Sequence, residues 1–261
     1  MKIGMMNHPG SSLAEEIQFA SNLGFDFLDL TLEPPEASLD RLNAEDVRHL
    51  MVQNNLELVG HTAWYLPLDS PFESIRKSAV DIVLDQLNFF KKIGTTHVSI
   101  HMGFSYPHKF FKYTVKYSLW EKTIETLLKK ANDLEITLML ENTLNTADHH
   151  RVMNDLFKQF PELAFHLDIG HANLNTQVNL TPYFLQKYKN RLCHVHLSDN
   201  FGGNRDLHLP ICSGSIPYAN IISQLKKSGY DGSITLEIFS SERQYLRLSR
   251  EILRCMWTAE R

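Results

Sequence analysis

The sequence predicts an α/β fold, a single (β/α)8 barrel spanning residues 1–261. Three observations predict it. Apolar runs alternate with amphipathic stretches through eight units, and repeated strand–helix units favour a parallel sheet. Six runs close on a His, Asp or Glu: Leu58-Val-Gly-His61, Val98-Ser-Ile-His101, Leu138-Met-Leu-Glu141, Phe165-His-Leu-Asp168, His194-Val-His196 and Thr235-Leu-Glu237. Strands buried on both faces read as such runs, and in a barrel their C-terminal ends share one face. The length, 261 residues, suits one barrel of about 250 residues.

The elements follow in order. Lys2 to Met6 reads as the first strand. Ser12 caps a helix running to Leu23, with Gly24 as its stop. Phe27 to Leu30 is the second strand. Asn43 opens a helix whose first turn holds Glu45 and Asp46, where the helix dipole favours acid. Leu56 to Gly60 is the third strand. Ser70-Pro71 reads as a cap and a first-turn proline opening a long helix that ends at Gly94. Val98 to Ile100 and Thr137 to Leu140 are strands, with a helix from Ser118 to Leu134 between them. A helix from Asp148 to Phe160 precedes the strand Ala164 to Leu167. A helix from Thr181 to Tyr188 precedes the strand Leu192 to Leu197. Pro217 to Ser228 is helical, Ser233 to Leu236 is the eighth strand, and a last helix runs to near Glu260.

Composition narrows the function. A net charge of -4 gives no general basic field for nucleic-acid phosphates, while a local basic groove stays open. Cys193, Cys212 and Cys255 form no C-x-x-C pair, which fits the thiols of a reducing compartment. The start, Met1-Lys-Ile-Gly-Met-Met-Asn, turns polar too soon for a signal peptide, and no apolar run reaches membrane-span length. The expectation is a soluble cytoplasmic protein with no membrane partner. The chain has no P-loop, Gly-x-Gly-x-x-Gly or Gly-x-Ser-x-Gly, so nucleotide binding and serine hydrolysis lose ground. Imidazoles and carboxylates gathered on one face are what a divalent metal needs, so the chain reads as a metal-dependent enzyme.

The remaining candidates divide by position. His97, His166 and His194 share the inward side with the strand-end groups but lie deeper, as core or supporting histidines. His149 and His150 start a helix and His49 lies inside one, so all three are expected at the surface. His108 belongs to an aromatic loop that covers substrate or packs on itself. Glu33, beside Pro34-Pro35, is a substrate contact or a solvated turn residue.

The motifs His166-Leu-Asp168-Ile-Gly-His171-Ala-Asn, His194-Val-His196-Leu-Ser-Asp199-Asn and Asp206-Leu-His208 with Gly214 resemble the xylose-isomerase-like TIM barrel superfamily. That group holds sugar and sugar-phosphate isomerases and epimerases, and the endonuclease IV type of abasic-site nuclease (the AP endonuclease family 2). The resemblance implies a metal site of Glu141, Asp168, His196 and Glu237. It makes Glu141 and Glu237 the acid–base pair, and His171 a substrate contact. The metal would be zinc, manganese, cobalt or magnesium. The implied function is isomerisation or epimerisation of a small sugar, sugar phosphate or polyol-derived carbonyl compound. Epimerases of the group carry an Arg soon after the metal histidine, and the nearest here is Arg205.

The endonuclease branch is the alternative. Its ligand pattern matches His61, His101, Glu141, Asp168, His171, His196, Asp206, His208 and Glu237, which implies two or three metals. On this reading His61, His101, His171, Asp206 and His208 bind a second metal or touch substrate. Trp64 and Tyr65 fall where that branch inserts side chains into DNA. The text around Glu141-Asn-Thr and Asp168-Ile-Gly-His171 is closer to the isomerase-like members. The partner expected is a carbohydrate-like small molecule rather than nucleic acid, and such barrels often self-associate.

Overall fold

Eight parallel strands hydrogen-bond in chain order and close on themselves in the computed structural model. They are β1 (Lys2–Met6), β2 (Phe27–Leu32), β3 (Glu57–Thr62), β4 (His97–His101), β5 (Thr137–Glu141), β6 (Ala164–Asp168), β7 (Leu192–Leu197) and β8 (Ser233–Leu236). Eight α-helices alternate with them: α1 (Leu13–Asn22), α2 (Ala44–Gln53), α3 (Glu73–Ile93), α4 (Tyr113–Asp133), α5 (Ala147–Gln159), α6 (Thr181–Tyr188), α7 (Tyr218–Lys227) and α8 (Gln244–Thr258). The structure describes residues 1–103, 106, 110–143 and 145–259; His108 lies outside them. None of the described helices is long and apolar enough to cross a membrane.

The side-chain period of two splits each strand into an outer and an inner set. The outer set is apolar: Leu28 and Leu30, Val98 and Ile100, Leu138 and Leu140, Phe165 and Leu167, Val195 and Leu197, Ile234 and Leu236. These pack with Val83, Leu87, Phe90, Ile124, Leu127 and Leu156 of the helices in one continuous buried cluster. Gly60 is small because α3 comes close there: a Cβ would stand 2.7 Å from the Phe90 ring. Apart from Met6, which pairs with Asp29 across β1–β2, the inner set is apolar only at the floor, where Phe27, Val59, Met139 and Ala164 form a separate plug. Above the plug the inner set is polar: Asp29, His61, Ser99, Glu141, His166, Asp168, His194, His196, Thr235 and Glu237 are all buried.

Lateral register sets which of these meet. His101 pairs with Glu141 across β4–β5, and Glu141 with His166 across β5–β6. Asp168 pairs with His196 across β6–β7, and His196 with Thr235 across β7–β8.

Several sequence expectations need correction. Ser70 does not cap α3: the helix starts at Glu73 with Phe72 at the cap position. Ser70 Oγ instead accepts the Phe72 main-chain N–H at 3.3 Å, holding the turn before the helix. Asn43 does cap α2, its side chain accepting from Glu45 and Asp46. Helix α4 begins five residues before the expected Ser118, at Tyr113. Its early turns are anchored on α5, through Tyr113 Oη donating to Asp155 at 2.5 Å and the Lys116–Asp148 ion pair. These contacts join residues 42 and 32 positions apart, beyond the reach of local pattern. His149 is fully buried, not at the surface; its Nε2–H donates to the Met102 carbonyl at 2.6 Å. His150 is half-buried and His49 exposed.

Candidate functional site

The C-terminal ends of the strands open into a cavity of about 1020 Å³. His61, His101, His171, Asp206, His208 and Glu237 are among the residues lining it. Glu141, Asp168 and His196 lie beneath, all fully buried.

Glu141 is the hub of one side. Its Oε2 stands 3.1 Å from His61 Nε2, 2.9 Å from His101 Nε2 and 3.2 Å from His166 Nδ1. Its Oε1 stands 3.1 Å from His171 Nδ1. Asp206 Oδ2 bridges the other side, 3.0 Å from both His171 Nε2 and His208 Nε2. Between them, His196 Nδ1 faces Glu237 Oε2 at 3.2 Å and Asp168 Oδ2 at 3.8 Å. The structure thus brings together all nine residues that the sequence marked as donors.

The donor atoms of Asp168, His196 and Glu237 lie within 4.8 Å of one another, as do those of Glu141, Asp168 and His171. Asp168 therefore joins the two glutamates' groups. Asp168 Oδ2 is buried without a hydrogen-bond partner among the described residues, and Glu141 Oε1 meets His171 Nδ1 there as an ion pair. Buried carboxylate oxygens left unpaired are costly. A cation among Glu141, Asp168, His196 and Glu237 would relieve that cost, so this donor set fits a divalent ion.

The charges carry the same strain. Burial, with Glu237 and Glu141 nearby, pushes the Asp168 carboxyl up to about 7 despite His171. Burial also resists ionisation of Glu237, but His208 and His196 outweigh it and hold the carboxyl at about 2. Glu141 lies well below its usual range because His101 and His166 outweigh its burial. Burial disfavours charge on His208, yet Glu237 and Asp206 raise it to about 9.

Local devices hold these groups in place. Asn142 donates to the Asp168 carbonyl at 2.8 Å and accepts the Asp168 N–H at 2.9 Å. In Asp168-Ile-Gly170-His171, a Cβ at position 170 would fall 2.4 Å from Ser198 Oγ. The glycine lets the turn close so that His171 N–H donates to Asp168 Oδ1 at 2.5 Å.

The weaker candidates separate. Glu33 lines the cavity and accepts Thr31 Oγ1 at 2.8 Å. Trp64 lines it too, 67% exposed at the rim beside Tyr65. Arg205 is exposed and does not belong to the cavity lining. Of the deeper histidines, His166 and His194 are buried, while His97 is half-buried at the start of β4.

Sequence reasoning missed Asp29, Asn142, His8, Trp120 and Phe239. The last three line the cavity. Asp29 is fully buried below the site, where its Oδ2 meets His196 Nε2 at 2.8 Å and His194 Nε2 at 3.1 Å. One signal was present: Asp29 is an acid in the middle of Phe27-Leu-Asp-Leu-Thr-Leu32, at an inward position of an apolar strand.

Solved structures share this architecture, and curated relatives share the sequence pattern. An uncharacterised protein of Methanocaldococcus jannaschii, MJ1614, is 32% identical over 172 residues, 62% of each chain. The match therefore spans less than two thirds of that relative. The L-ribulose-5-phosphate 3-epimerase UlaE of Escherichia coli K12 is 24% identical over 251 residues, 88% of this chain and 84% of the enzyme. The crystal structure of a D-tagatose 3-epimerase-like protein shares 26% identity with a TM-score of 0.84, covering 98% of this chain and 97% of that one. The D-psicose 3-epimerase of Clostridium cellulolyticum H10 shares the fold at a TM-score of 0.79 and 17% identity, covering 99% and 100%. The family profile described as xylose isomerase-like TIM barrel matches residues 17–256. The chain belongs to the xylose isomerase-like TIM barrel family.

Proposed function

We propose that the protein is a divalent-metal-dependent epimerase or isomerase of a small sugar or related carbonyl compound. The observation that carries this reading is that Asp168 shares one buried donor cluster with His196 and Glu237 and another with Glu141 and His171, its Oδ2 unpaired among the described residues. The sugar epimerases among its relatives support the substrate class.

Glu141, Asp168, His196 and Glu237 would hold the ion. When bound, the ion polarises the substrate carbonyl and the adjacent hydroxyl, lowering the cost of the negative charge that proton removal creates. Glu141 ends β5 beneath the cavity and Glu237 lies just past β8 on its lining, so the two would approach a sugar from different parts of the barrel. One takes the proton beside the carbonyl, and the other returns a proton from its own side. His208 Nδ1 lies 3.6 Å from Glu237 Oε2, and its positive charge keeps Glu237 ionised and ready to take a proton. Trp64, Trp120 and Phe239 provide apolar faces for the sugar's C–H surface, and Glu33 and Thr31 offer polar contacts.

A second reading rests on the number of donors. His61, His101, His171, Asp206 and His208 supply more nitrogen and oxygen atoms than one ion uses, as a multi-metal phosphodiesterase would. No Lys or Arg occurs among the described residues of the cavity lining, so counter-charge for DNA phosphates there would have to come from the ions themselves. The test is a panel of free ketoses and ketose phosphates incubated with protein loaded with manganese, cobalt, zinc or magnesium. Inversion or ketose–aldose exchange of a panel sugar, lost in Glu237→Gln, is the expected result. Cleavage of abasic-site DNA with every sugar unchanged would overturn it.

A further inference from the structure

We propose that Asp29 is a positioning residue: it holds His196 with Nε2 protonated, so that Nδ1 is the nitrogen left free for the cation. The inference deepens the metal-centre reading above and rests on it.

Three other rim histidines are oriented by main-chain carbonyls. His61 Nδ1 lies 2.9 Å from the Thr62 carbonyl, His171 Nδ1 3.0 Å from that of Asn142, and His208 Nδ1 3.2 Å from that of Glu237. A carbonyl only accepts, so each Nδ1 carries the hydrogen. The Nε2 atoms are left to face carboxylates: Glu141 for His61, and Asp206 for His171 and His208. His196 is turned the other way. Its Nδ1 faces Glu237 and Asp168, and its Nε2 points down the barrel to Asp29 Oδ2 at 2.8 Å. No carbonyl bond to His196 takes the place of that carboxylate among the described residues.

Asp29 is itself fixed. The same Oδ2 accepts Thr235 Oγ1 at 2.8 Å and faces His194 Nε2 at 3.1 Å. His194 Nδ1 in turn meets Ser233 Oγ at 2.7 Å, where the hydroxyl can donate and leave the ring hydrogen on Nε2. The chain of contacts runs Ser233–His194–Asp29–His196–Glu237, from the lower barrel to the rim. All three side-chain contacts of Asp29, from His196, His194 and Thr235, fall on Oδ2. A carboxylate behind a ligating histidine fixes its tautomer and raises its basicity, and losing it costs about 10- to 100-fold in metal affinity.

The experiment is a cobalt(II) titration of chelator-stripped wild type and Asp29→Asn, read by visible absorption, with thermal unfolding as a check on folding. In the variant the amide either loses the charge or offers N–H to Nε2 and forces the hydrogen onto Nδ1. Cobalt affinity should fall by at least about tenfold. Unchanged affinity in a folded variant would overturn the inference. If the variant does not fold, ring-15N spectra of zinc-loaded wild type decide: His196 should show a protonated Nε2 and a metal-bound Nδ1. The opposite assignment would overturn the inference. Failure of wild type to bind any divalent ion would instead strike at the proposed function, and at this inference through it.

Discussion

Asn142 grips Asp168 by both of its main-chain polar groups, donating to the carbonyl at 2.8 Å and accepting from the N–H at 2.9 Å. Asn142 follows Glu141 directly, so the clamp ties the end of β5 to the end of β6. Two of the four proposed ligands are thereby held at fixed spacing. Asn142→Ala leaves a buried N–H and carbonyl unpaired, and should destabilise the fold by about 1–3 kcal/mol. Denaturant unfolding checks this. Metal affinity should fall with it, because the spacing of Glu141 and Asp168 is no longer enforced.

His149 should make the fold sensitive to acid. Burial pushes its imidazole down from 6.5 to about 3. Between those values the unfolded chain binds a proton that the folded chain refuses. The contribution is therefore intact above pH 6.5 and is lost as the pH falls toward 3. The loss is on the order of a few kcal/mol. Unfolding midpoints of wild type and His149→Gln should converge as the pH is lowered through this window. A constant gap between them would contradict the assignment.

Metal uptake should release protons. In the metal-free site Asp168 sits at about 7 because of burial and the neighbouring glutamates. Burial disfavours charge on the ligand His196, yet Asp29 and Glu237 raise its imidazole well above the usual range. Ligation needs the deprotonated forms, so the metal-free site binds more protons than the loaded one. Affinity should therefore rise with pH from 6 to 8, by about tenfold per unit for each proton released. Calorimetry in buffers of different ionisation enthalpy should report at least one proton per ion at pH 7.

Much of this was legible because strand ends punctuate. Glu141, Asp168, His196 and Glu237 each terminate an apolar run, and lateral register alone brings neighbours such as Asp168 and His196 together. Asp29 escaped notice because it lies inside its run, and its partners are 165 and 167 residues away. His149 was misplaced because its neighbours in sequence are polar, while its partner, the Met102 carbonyl, lies 47 residues away. The start of α4 was set late because its anchors, Asp148 and Asp155, belong to the next helix. Arg205 shows the converse: the resemblance to the epimerases offered it, but it stands exposed, outside the cavity lining.

The glutamates should separate from the other donors in kinetics. Glu141→Gln and Glu237→Gln keep the side-chain volume but remove the base, and each should lower kcat by about 10²- to 10⁴-fold. Trp64→Ala acts at the exposed rim and should mainly raise KM, by roughly threefold to tenfold. Steady-state rates with metal at saturation distinguish the two patterns. A glutamate variant with full turnover would remove that residue from the acid–base pair.

The most direct measurement of the central claim is turnover of the best panel sugar in deuterium oxide by metal-loaded protein. Proton removal by one glutamate and return by the other predicts one solvent deuterium at the carbon beside the carbonyl in each product molecule, with none incorporated by Glu141→Gln or Glu237→Gln. Product formed without deuterium at that carbon would contradict the two-glutamate mechanism.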